Sequence, residues 1–461
     1  MSVELGRDEI LQHLPIETLE SVESVVAEAE RIGARVLLVG GPVRDLLLHR
    51  PIRDVDLLIE PEAGRSGVDV GAIARAAAAE GARVVEHSRF GTVRLEAAAC
   101  TIDIAHARRE CYERPGALPQ VEPGTLEEDL LRRDFTVNAL AVPLGCAGPC
   151  VVIDPANGLR DLADRRLRVL HPRSFHDDPT RALRAARLAP RLGFSLARDA
   201  RSALRGALRD GAFGAVSGDR LRREIEKCFS DAAIGLDPAS ALRQLADWHV
   251  LPALEPGLGL PRESLTALRR LGRAIAHPLW RTGRFRPWVS GLDLWLAPQS
   301  PALRRRTLRR FSVRGDWVKR IADFPALRDK RLAALEAARG RGAVDALLTG
   351  SDEEEVHALY CSAPPAVQRR IVRWAAEDRA RRLPVSGHDL LALGLSGPAL
   401  GRLLGRIRAA LLDGEVANRE EAIALAEEIV RSRARGTRRA AKKKAPAKRS
   451  AGGRRKATRR G

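Results

Sequence analysis

Val39-Gly40-Gly41-Pro42-Val43-Arg44-Asp45, followed eight residues on by Asp54-Val55-Asp56, decides how the first third of this chain reads. The apolar run Arg35 to Val39 predicts a buried strand. Two glycines follow it, and Pro42 suits the first position of a helix after them. Without side chains, Gly40 and Gly41 let the backbone approach a phosphate closely. Arg44 is placed to reach that phosphate. Asp54, just ahead of a second predicted strand, Val55 to Ile59, and Asp56 within it alternate along extended chain, so both carboxylates share a face. Two such carboxylates beside a phosphate cradle suit Mg²⁺ held partly by substrate phosphates.

Working outward, Val93 to Ala97 and Thr101 to Ala105 read as a strand pair across a short turn. Asp103 in the second of these is a candidate third carboxylate. Three carboxylates can hold two metal ions about 4 Å apart. Arg83 to Val85 reads as a further strand. Ile16 to Ile32 and Gly71 to Glu80 read as helices, and the Pro/Gly-rich stretch 107–124 as a loop. Next comes Asp129-Leu130-Leu131-Arg132-Arg133-Asp134-Phe135-Thr136-Val137-Asn138-Ala139. Paired arginines suit bidentate phosphate contacts, and Asn138 suits a ribose hydroxyl or a phosphate. After about residue 150 strand signals fade. Ala, Leu and Arg recur with helical spacing in stretches that include 179–192, 199–209, 218–229, 237–247, 263–276, 301–312, 326–339, 365–381, 399–412 and 419–434.

Composition bounds the function classes. The chain has 461 residues, with 79 Lys+Arg against 59 Asp+Glu, a net charge of +20. Fifteen of the basic side chains fall in 431–461, which carries no acid, so the first 430 residues are only mildly basic. The tail 435–461 lacks apolar periodicity and reads as disordered. Hydrophobic residues at 45% suffice for a packed core. No apolar run approaches a membrane span, and no signal-peptide pattern opens the chain. Six cysteines make no disulfide framework, and the expected location is cytoplasmic. No zinc-site spacing occurs.

The motifs together resemble the class II tRNA nucleotidyltransferase and bacterial poly(A) polymerase family. GGPVRD with DVD is similar to its metal-binding motif, and RRDFTVNAL to the motif that contacts sugar and triphosphate. Asp154-Pro155 through Gly158 and Asp161 matches the DPxxGxxDL connection. Asp177-Asp178-Pro179-Thr180-Arg181, continuing through Arg184 and Arg187, resembles the EDxxR base-reading motif. Asp219-Arg220-Leu221-Arg222-Arg223-Glu224 resembles ERIxxE. Pro384 to Leu390 and Asp413 to Glu421 match the family's C-terminal region, so the likeness covers about 16–430.

The resemblance implies an α+β fold: a nucleotidyltransferase (polymerase beta-like) head with a mixed sheet, then an all-α neck, body and tail. The expected boundaries are 1–145 for the head, 146–235 for the neck, 236–380 for the body, 381–434 for the tail and 435–461 for a basic extension. It implies CTP and ATP as substrates, Mg²⁺ as cofactor, and the acceptor arm of tRNA as partner. No membrane and no obligate protein partner are expected. Asp54 and Asp56 would hold metal, with Asp103 assisting. Gly40, Gly41, Arg44, Arg133, Asp134, Asn138, Asp178, Arg181, Arg184 and Arg187 would meet the nucleotide. Arg304, Arg305 and Arg309, with Arg306 and Arg310, form a basic helical cluster suited to RNA.

Beside the resemblance, the base-reading step can be argued from chemistry, although the same residues taken alone read as a helix-capping Asp with a solvated Arg. Asp178 and Arg181 are three apart at a helix start, hence on one face. A carboxylate accepts from an exocyclic amino group, and a guanidinium donates to ring acceptors. Cytosine and adenine share that pattern, whereas uracil and guanine present a carbonyl to the carboxylate. Departures from the family pattern are Asp177 for Glu, Leu188 for an aromatic, Pro190 within the helix, Asp219 for Glu and His49 for Gly. Within the family, Glu86 to Val93 is closer to the FGT pattern of the tRNA enzymes than to poly(A) polymerases. Full CCA addition is the first expectation. CC-only, A-only and poly(A) addition stay open. A non-catalytic RNA-binding scaffold and an enzyme that nucleotidylates other molecules are the readings from other classes.

Overall fold

The computed structural model describes residues 2–61, 68–78, 82–87, 91–97, 100–111, 120–145, 148–280 and 285–444. Six strands form one mixed sheet: β1 (Ala34–Val39), β2 (Val55–Pro61), β3 (Arg83–His87), β4 (Thr92–Ala97), β5 (Cys100–His106) and, after a separate hairpin, Ala141–Pro143. That hairpin supplies β6 (Arg108–Cys111) and β7 (Gln120–Pro123), so Ala141–Pro143 is β8. The spatial order is β3-β4-β5-β2-β1-β8. Only β2 and β5 run parallel, and their register sets Asp56 directly opposite Asp103. β1 is buried at five of its six positions, as its nearly continuous apolar run requires for a central strand. Leu37, Val39 and Leu58 pack with Leu126, Leu130 and Ala139, so the sheet's core is shared with the segment that carries Arg132 to Asn138.

Helices follow the strands. α1 (Leu19–Arg31) buries Val22, Val25, Val26 and Ala29 along one face. α2 (Gly41–Leu47) opens directly after β1 with Pro42 in its first turn. α3 (Val70–Ala76) is capped by Asp69 and falls short of Glu80, which lies outside the described residues. α4 (Leu126–Leu131) starts at a capping box. Glu128 N–H donates to Thr125 Oγ1 at 3.2 Å, and Thr125 N–H donates to Glu128 Oε2 at 2.8 Å.

The rest is almost wholly helical, and the chain as a whole divides into two compact units. The first joins residues 1–276 and 286–325, and includes α5 (Thr180–Leu192), α6 (Gly218–Ser230), α7 (Pro287–Leu296) and α8 (Pro301–Arg310). Gly291 on α7 allows contact with Phe229 on α6, since a Cβ there would lie 2.3 Å from the ring. The second joins 277–285 and 326–461. It holds α9 (Arg341–Leu348), α10 (Glu353–Ser362), α11 (Gly397–Asp413) and α12 (Arg419–Lys444). Its buried Asp345 accepts from Arg408 Nε at 2.6 Å and Trp374 Nε1 at 2.9 Å.

The structure corrects four expectations. The stretch 107–124 is not all loop, because its described ends pair as β6 and β7. That ribbon is polar on both faces and tied by Arg109 to Glu122 at 2.6 Å, so it lacks the apolar alternation that signals a strand. Beyond residue 150, short strands remain, including the parallel pair Arg166–Leu167 and Ser195–Leu196. The helix expected over 365–381 is α-helical only to Arg373, with a π-turn at Trp374–Asp378. α12 runs to Lys444, ten residues into the stretch expected to be disordered; 445–461 lie outside the described residues. The end of the helix expected over 71–80, the loop tip 112–119 and Ser88, Arg89 and Phe90 also lie outside them.

Candidate active site

The turn after β1 is built around Gly40. Its φ of +79° is one that L side chains rarely adopt. A Cβ there would also lie 2.3 Å from Arg133 Nη1. The glycine therefore serves two ends at once: it turns the chain and lets the second arginine of RRDF lie against the backbone. Gly40 N–H donates to the Leu140 carbonyl at 2.9 Å, which fixes the turn beside Asn138.

A cavity of about 530 Å³ opens at this turn. The sheet contributes Asp56 from β2 and Asp103 from β5. The turn and α2 contribute Gly41 and Arg44, the segment after α4 contributes Arg132, Arg133, Asp134 and Asn138, and α5 contributes Arg181, Arg184, Arg187, Leu188 and Arg191, with Asp178 just before it. Eleven of the thirteen metal- and nucleotide-binding candidates thus line one space. Asp54 does not; it is exposed, one residue before β2 begins. Gly40 lies in the turn beneath Arg133.

Burial pushes the Asp56 carboxyl up to about 6; Asp103 and Asp54 add repulsion while Arg133 opposes them. Asp103 is gripped by Arg94 of β4, Nε to Oδ1 at 2.7 Å and Nη2 to Oδ2 at 2.8 Å. Arg94 and Asp103 face each other in register, so this guanidinium offsets the crowding of carboxylates. Among the described residues no three His, Cys, Asp or Glu side chains are gathered as a ready-made metal cage. The donor set still fits Mg²⁺, whose protein ligands are commonly one or two carboxylates, the rest being water and substrate phosphate. The all-oxygen chemistry and the strain of ionising Asp56 both favour a hard cation.

The arginines are held by carboxylates behind them. Asp129, almost fully buried on α4, accepts from Arg132 at 2.6 Å and from Arg133 at 3.0 Å. Asp134 Oδ1 accepts from Asn138 Nδ2 at 2.8 Å, and Oδ2 pairs with Arg184 at 2.9 Å. Burial opposes ionisation of Asp134, but Arg184, Asn138, Arg181 and Arg44 outweigh it and hold the carboxyl below its ordinary value. Asn138 Oδ1 accepts from Arg44 Nη1. The DPxxGxxDL stretch has a structural part: Asp154 accepts from the Gly158 N–H at 2.7 Å and the Leu159 N–H at 3.0 Å. Asp161 takes the Thr136 hydroxyl at 2.7 Å, fixing the turn that carries Asn138.

Asp178 and Arg181 both reach the cavity. Asp178 Oδ1 pairs with Arg220 of α6 at 2.7 Å and accepts from the Thr180 hydroxyl at 2.7 Å. Arg181 donates to the Arg132 carbonyl at 2.8 Å and to Ser174. Arg187 spends its guanidinium on Asp231, at 2.9 and 3.0 Å, with Glu224 at 3.5 Å. It is therefore a tie between α5 and the turn after α6. Arg304 departs from the expected RNA-facing cluster: it is buried on α8 and donates to the Ala297 carbonyl. Arg310 donates to the carbonyls of Leu254, Val216 and Phe213. Arg305 and Arg309 remain exposed.

Sequence reasoning passed over Asp45, Asp129, Arg94 and Arg191 as site residues. Arg191 could have been found, since it continues the spacing of Arg181, Arg184 and Leu188 along α5. The partners Arg94 and Asp129 are visible only once strands and helices are in register.

A mixed sheet with carboxylates on adjacent parallel strands, arginines opposite them and a helical Asp/Arg pair defines a nucleotidyltransferase head with a nucleotide pocket. Comparison with known proteins agrees. Residues 36–168 match the poly A polymerase head domain. An A-adding tRNA nucleotidyltransferase of Geobacter sulfurreducens is 30% identical over 432 residues, 91% of this chain and 48% of that protein. The chain thus spans about half the length of that relative. A CC-adding tRNA nucleotidyltransferase of Deinococcus radiodurans is 33% identical, over 83% of this chain and 86% of that one. A solved CCA-adding enzyme without ligand superimposes with a TM-score of 0.72 at 26% identity, covering 94% of this chain and 99% of its own. Structures 25% identical to this chain are complexes of a CCA-adding enzyme with ATP and with CTP. The chain belongs to the tRNA nucleotidyltransferase family. Among the described residues no helix is long and apolar enough to cross a membrane.

Proposed function

We propose that this protein adds CCA, or part of it, to the 3′ end of tRNA from CTP and ATP without a nucleic-acid template. One observation carries the reading: Asp178 and Arg181 line the same cavity as Asp56 and Asp103. Groups able to select an amino-bearing base thus stand across one space from groups able to serve phosphoryl chemistry. Among the described residues the partners of Asp178 are on Oδ1, which leaves Oδ2 to accept from an exocyclic amino group. Arg133 and Arg184 would meet the sugar and phosphates. The 3′-hydroxyl oxygen of the RNA would attack the α-phosphorus in line, the bond to pyrophosphate would break, and the hydroxyl proton would leave to solvent.

Asp54 and Asp56 would hold Mg²⁺, with Asp103 beside them once freed from Arg94. Bound there, the ion would neutralise triphosphate charge and lower the pKa of the attacking hydroxyl. The exposed Arg305 and Arg309 would contact RNA phosphates, and the basic C-terminal residues would add salt-dependent affinity. A tRNA substrate goes with a cytoplasmic location.

The test uses purified protein, Mg²⁺, labelled CTP or ATP, and tRNAs ending before CCA, after CC and after CCA, beside an unrelated RNA. Addition of CCA that then stops is the expected result. A stop after CC, or extension only of the CC-ended tRNA by A, would assign one half of the task. Long A tails on unrelated RNA would move the reading to poly(A) polymerase, and no incorporation would leave an RNA-binding scaffold.

A further inference from the structure

Arg191 ends the cavity-facing stripe of α5. It lines the cavity with Gly41 and Arg44 and stands seven residues past Arg184, hence on the same face. Two groups from the α2 region hold it. Its Nη2 donates to Asp45 Oδ2 at 3.2 Å, and its carbonyl accepts from Arg50 Nη1 at 2.7 Å. That carbonyl lies in the last turn of α5, where intrahelical donors run out, so Arg50 meets a real need. Asp45 is itself buried, and its Oδ1 accepts from Arg44 Nε at 2.9 Å.

One carboxylate therefore lies between two guanidiniums, and the trio keeps a net positive charge. The two arginines are not equivalent. Arg44 has a side chain 5% exposed and also gives Nη1 to Asn138. Arg191 has a side chain 25% exposed and gives Asp45 only Nη2. Both arginines line the cavity, and Arg191 presents the more accessible charge to a ligand. Position agrees. Along α5, Arg181 stands at the N-terminal end, Arg184 one turn on, and Arg191 at the far end beside the Gly41 turn. A nucleotide whose base meets Asp178 and Arg181 and whose sugar lies near Arg184 has its phosphates directed toward Arg191.

We propose that Arg191 binds the β- and γ-phosphates of the incoming nucleotide, and that Asp45 is the positioning residue that aims it. The proposal rests on the nucleotidyl-transfer reading of this same site.

Calorimetric titration of the full chain with CTP, ATP and CMP tests it. Arg191→Ala is expected to weaken CTP and ATP alike, by about tenfold or more, because the lost contact is a charge-assisted hydrogen bond to phosphate. CMP, which lacks the β- and γ-phosphates, should bind as it does to the wild type. Arg191→Lys should recover part of the loss, and Asp45→Asn should show a smaller drop with the same CTP-over-CMP bias. CTP binding unchanged in Arg191→Ala, or CMP weakened by the same factor as CTP, would overturn the assignment. Circular dichroism accompanies each variant, and Arg191→Lys and Arg191→Gln decide the matter if the alanine variant does not fold. A wild type that binds neither CTP nor ATP would overturn the functional reading and this proposal with it. A wild type that binds both, with an Arg191→Ala variant that matches it, overturns this proposal alone.

Discussion

Asp56 and Gly40 show how much single positions here are asked to do. Asp56 is costly to ionise where it stands, because burial and two neighbouring carboxylates act together. Its value to the fold is correspondingly small. Asp56→Ala is expected to abolish nucleotide incorporation while leaving the melting temperature unchanged or higher; a primer-extension assay beside a thermal melt checks both. Loss of the fold, or persistent activity, would sink the metal-ligand role. Gly40 is the opposite case, needed by fold and site together. Gly40→Ala should cost about 1–3 kcal/mol from the backbone conformation alone. It should also displace Arg133, whose guanidinium occupies the space of the new methyl group. A lower urea midpoint with weaker CTP binding is the expected pair of results.

At the scale of elements, α4 matters less for its six residues than for what its far end holds. A capping box starts it, and Asp129 near its C-terminus organises Arg132 and Arg133. Removing that carboxylate takes the ion pair from part-buried Arg133 and leaves Arg132 with Glu110 alone, at 2.6 Å. Breaking a buried pair in this way costs about 3–5 kcal/mol. Asp129→Ala is therefore expected to lower the denaturation midpoint sharply and to abolish activity. Asp129→Asn, which keeps the shape but not the charge, should fall between it and the wild type. A variant as stable as the wild type would show that the arginines find other partners. The paired residues of β4 and β5 work by the same logic, with the signs reversed: there a basic side chain, Arg94, steadies an acidic site.

The whole molecule divides its labour. The cavity lies entirely within the first compact unit. The second unit has its own chemistry, centred on His357. That ring is fully buried on α10, against Trp280 at 4.9 Å and Phe285 at 4.1 Å between centroids. Among the described residues neither ring nitrogen has a hydrogen-bond partner. Burial, helped by the charge of Arg379, pulls its pKa down to about 4. The unfolded chain takes up this proton near pH 6.5, whereas the folded one resists until about pH 4. The stability this neutral ring permits is thus complete above pH 6.5 and is lost as pH falls toward 4. The loss is on the order of 3 kcal/mol. His357→Phe should flatten that decline, as melts at pH 7 and pH 5 would show; an equal decline in both proteins would place the acid sensitivity elsewhere.

Most residues that line the cavity were legible in the sequence, because they sit in short, ordered motifs; the same motifs also marked Asp54 and Gly40, which do not line it. Gly40-Gly41, Asp54 and Asp56, Arg133 to Asn138 and Asp178 to Arg181 are each local, and local spacing fixes which side chains share a face. The long amphipathic helices were legible for the same reason. α7 was not, since Val289 to Leu296 is buried all round and shows no polar face to mark its period. Neither was the ribbon of β6 and β7, which is polar on both faces.

Pairing across the chain was beyond the sequence. That Asp103 stands opposite Asp56 and in the grip of Arg94 depends on sheet register. That Arg187 meets Asp231, Arg304 the Ala297 carbonyl and Arg191 the Asp45 carboxylate depends on which helix packs where. A sequence specifies which charges a chain carries and on which face of an element each lies. Only the packed structure decides which of them are neutralised by neighbours, because Coulomb and hydrogen-bond energies fall off over a few ångströms, a scale that separation along the chain does not determine.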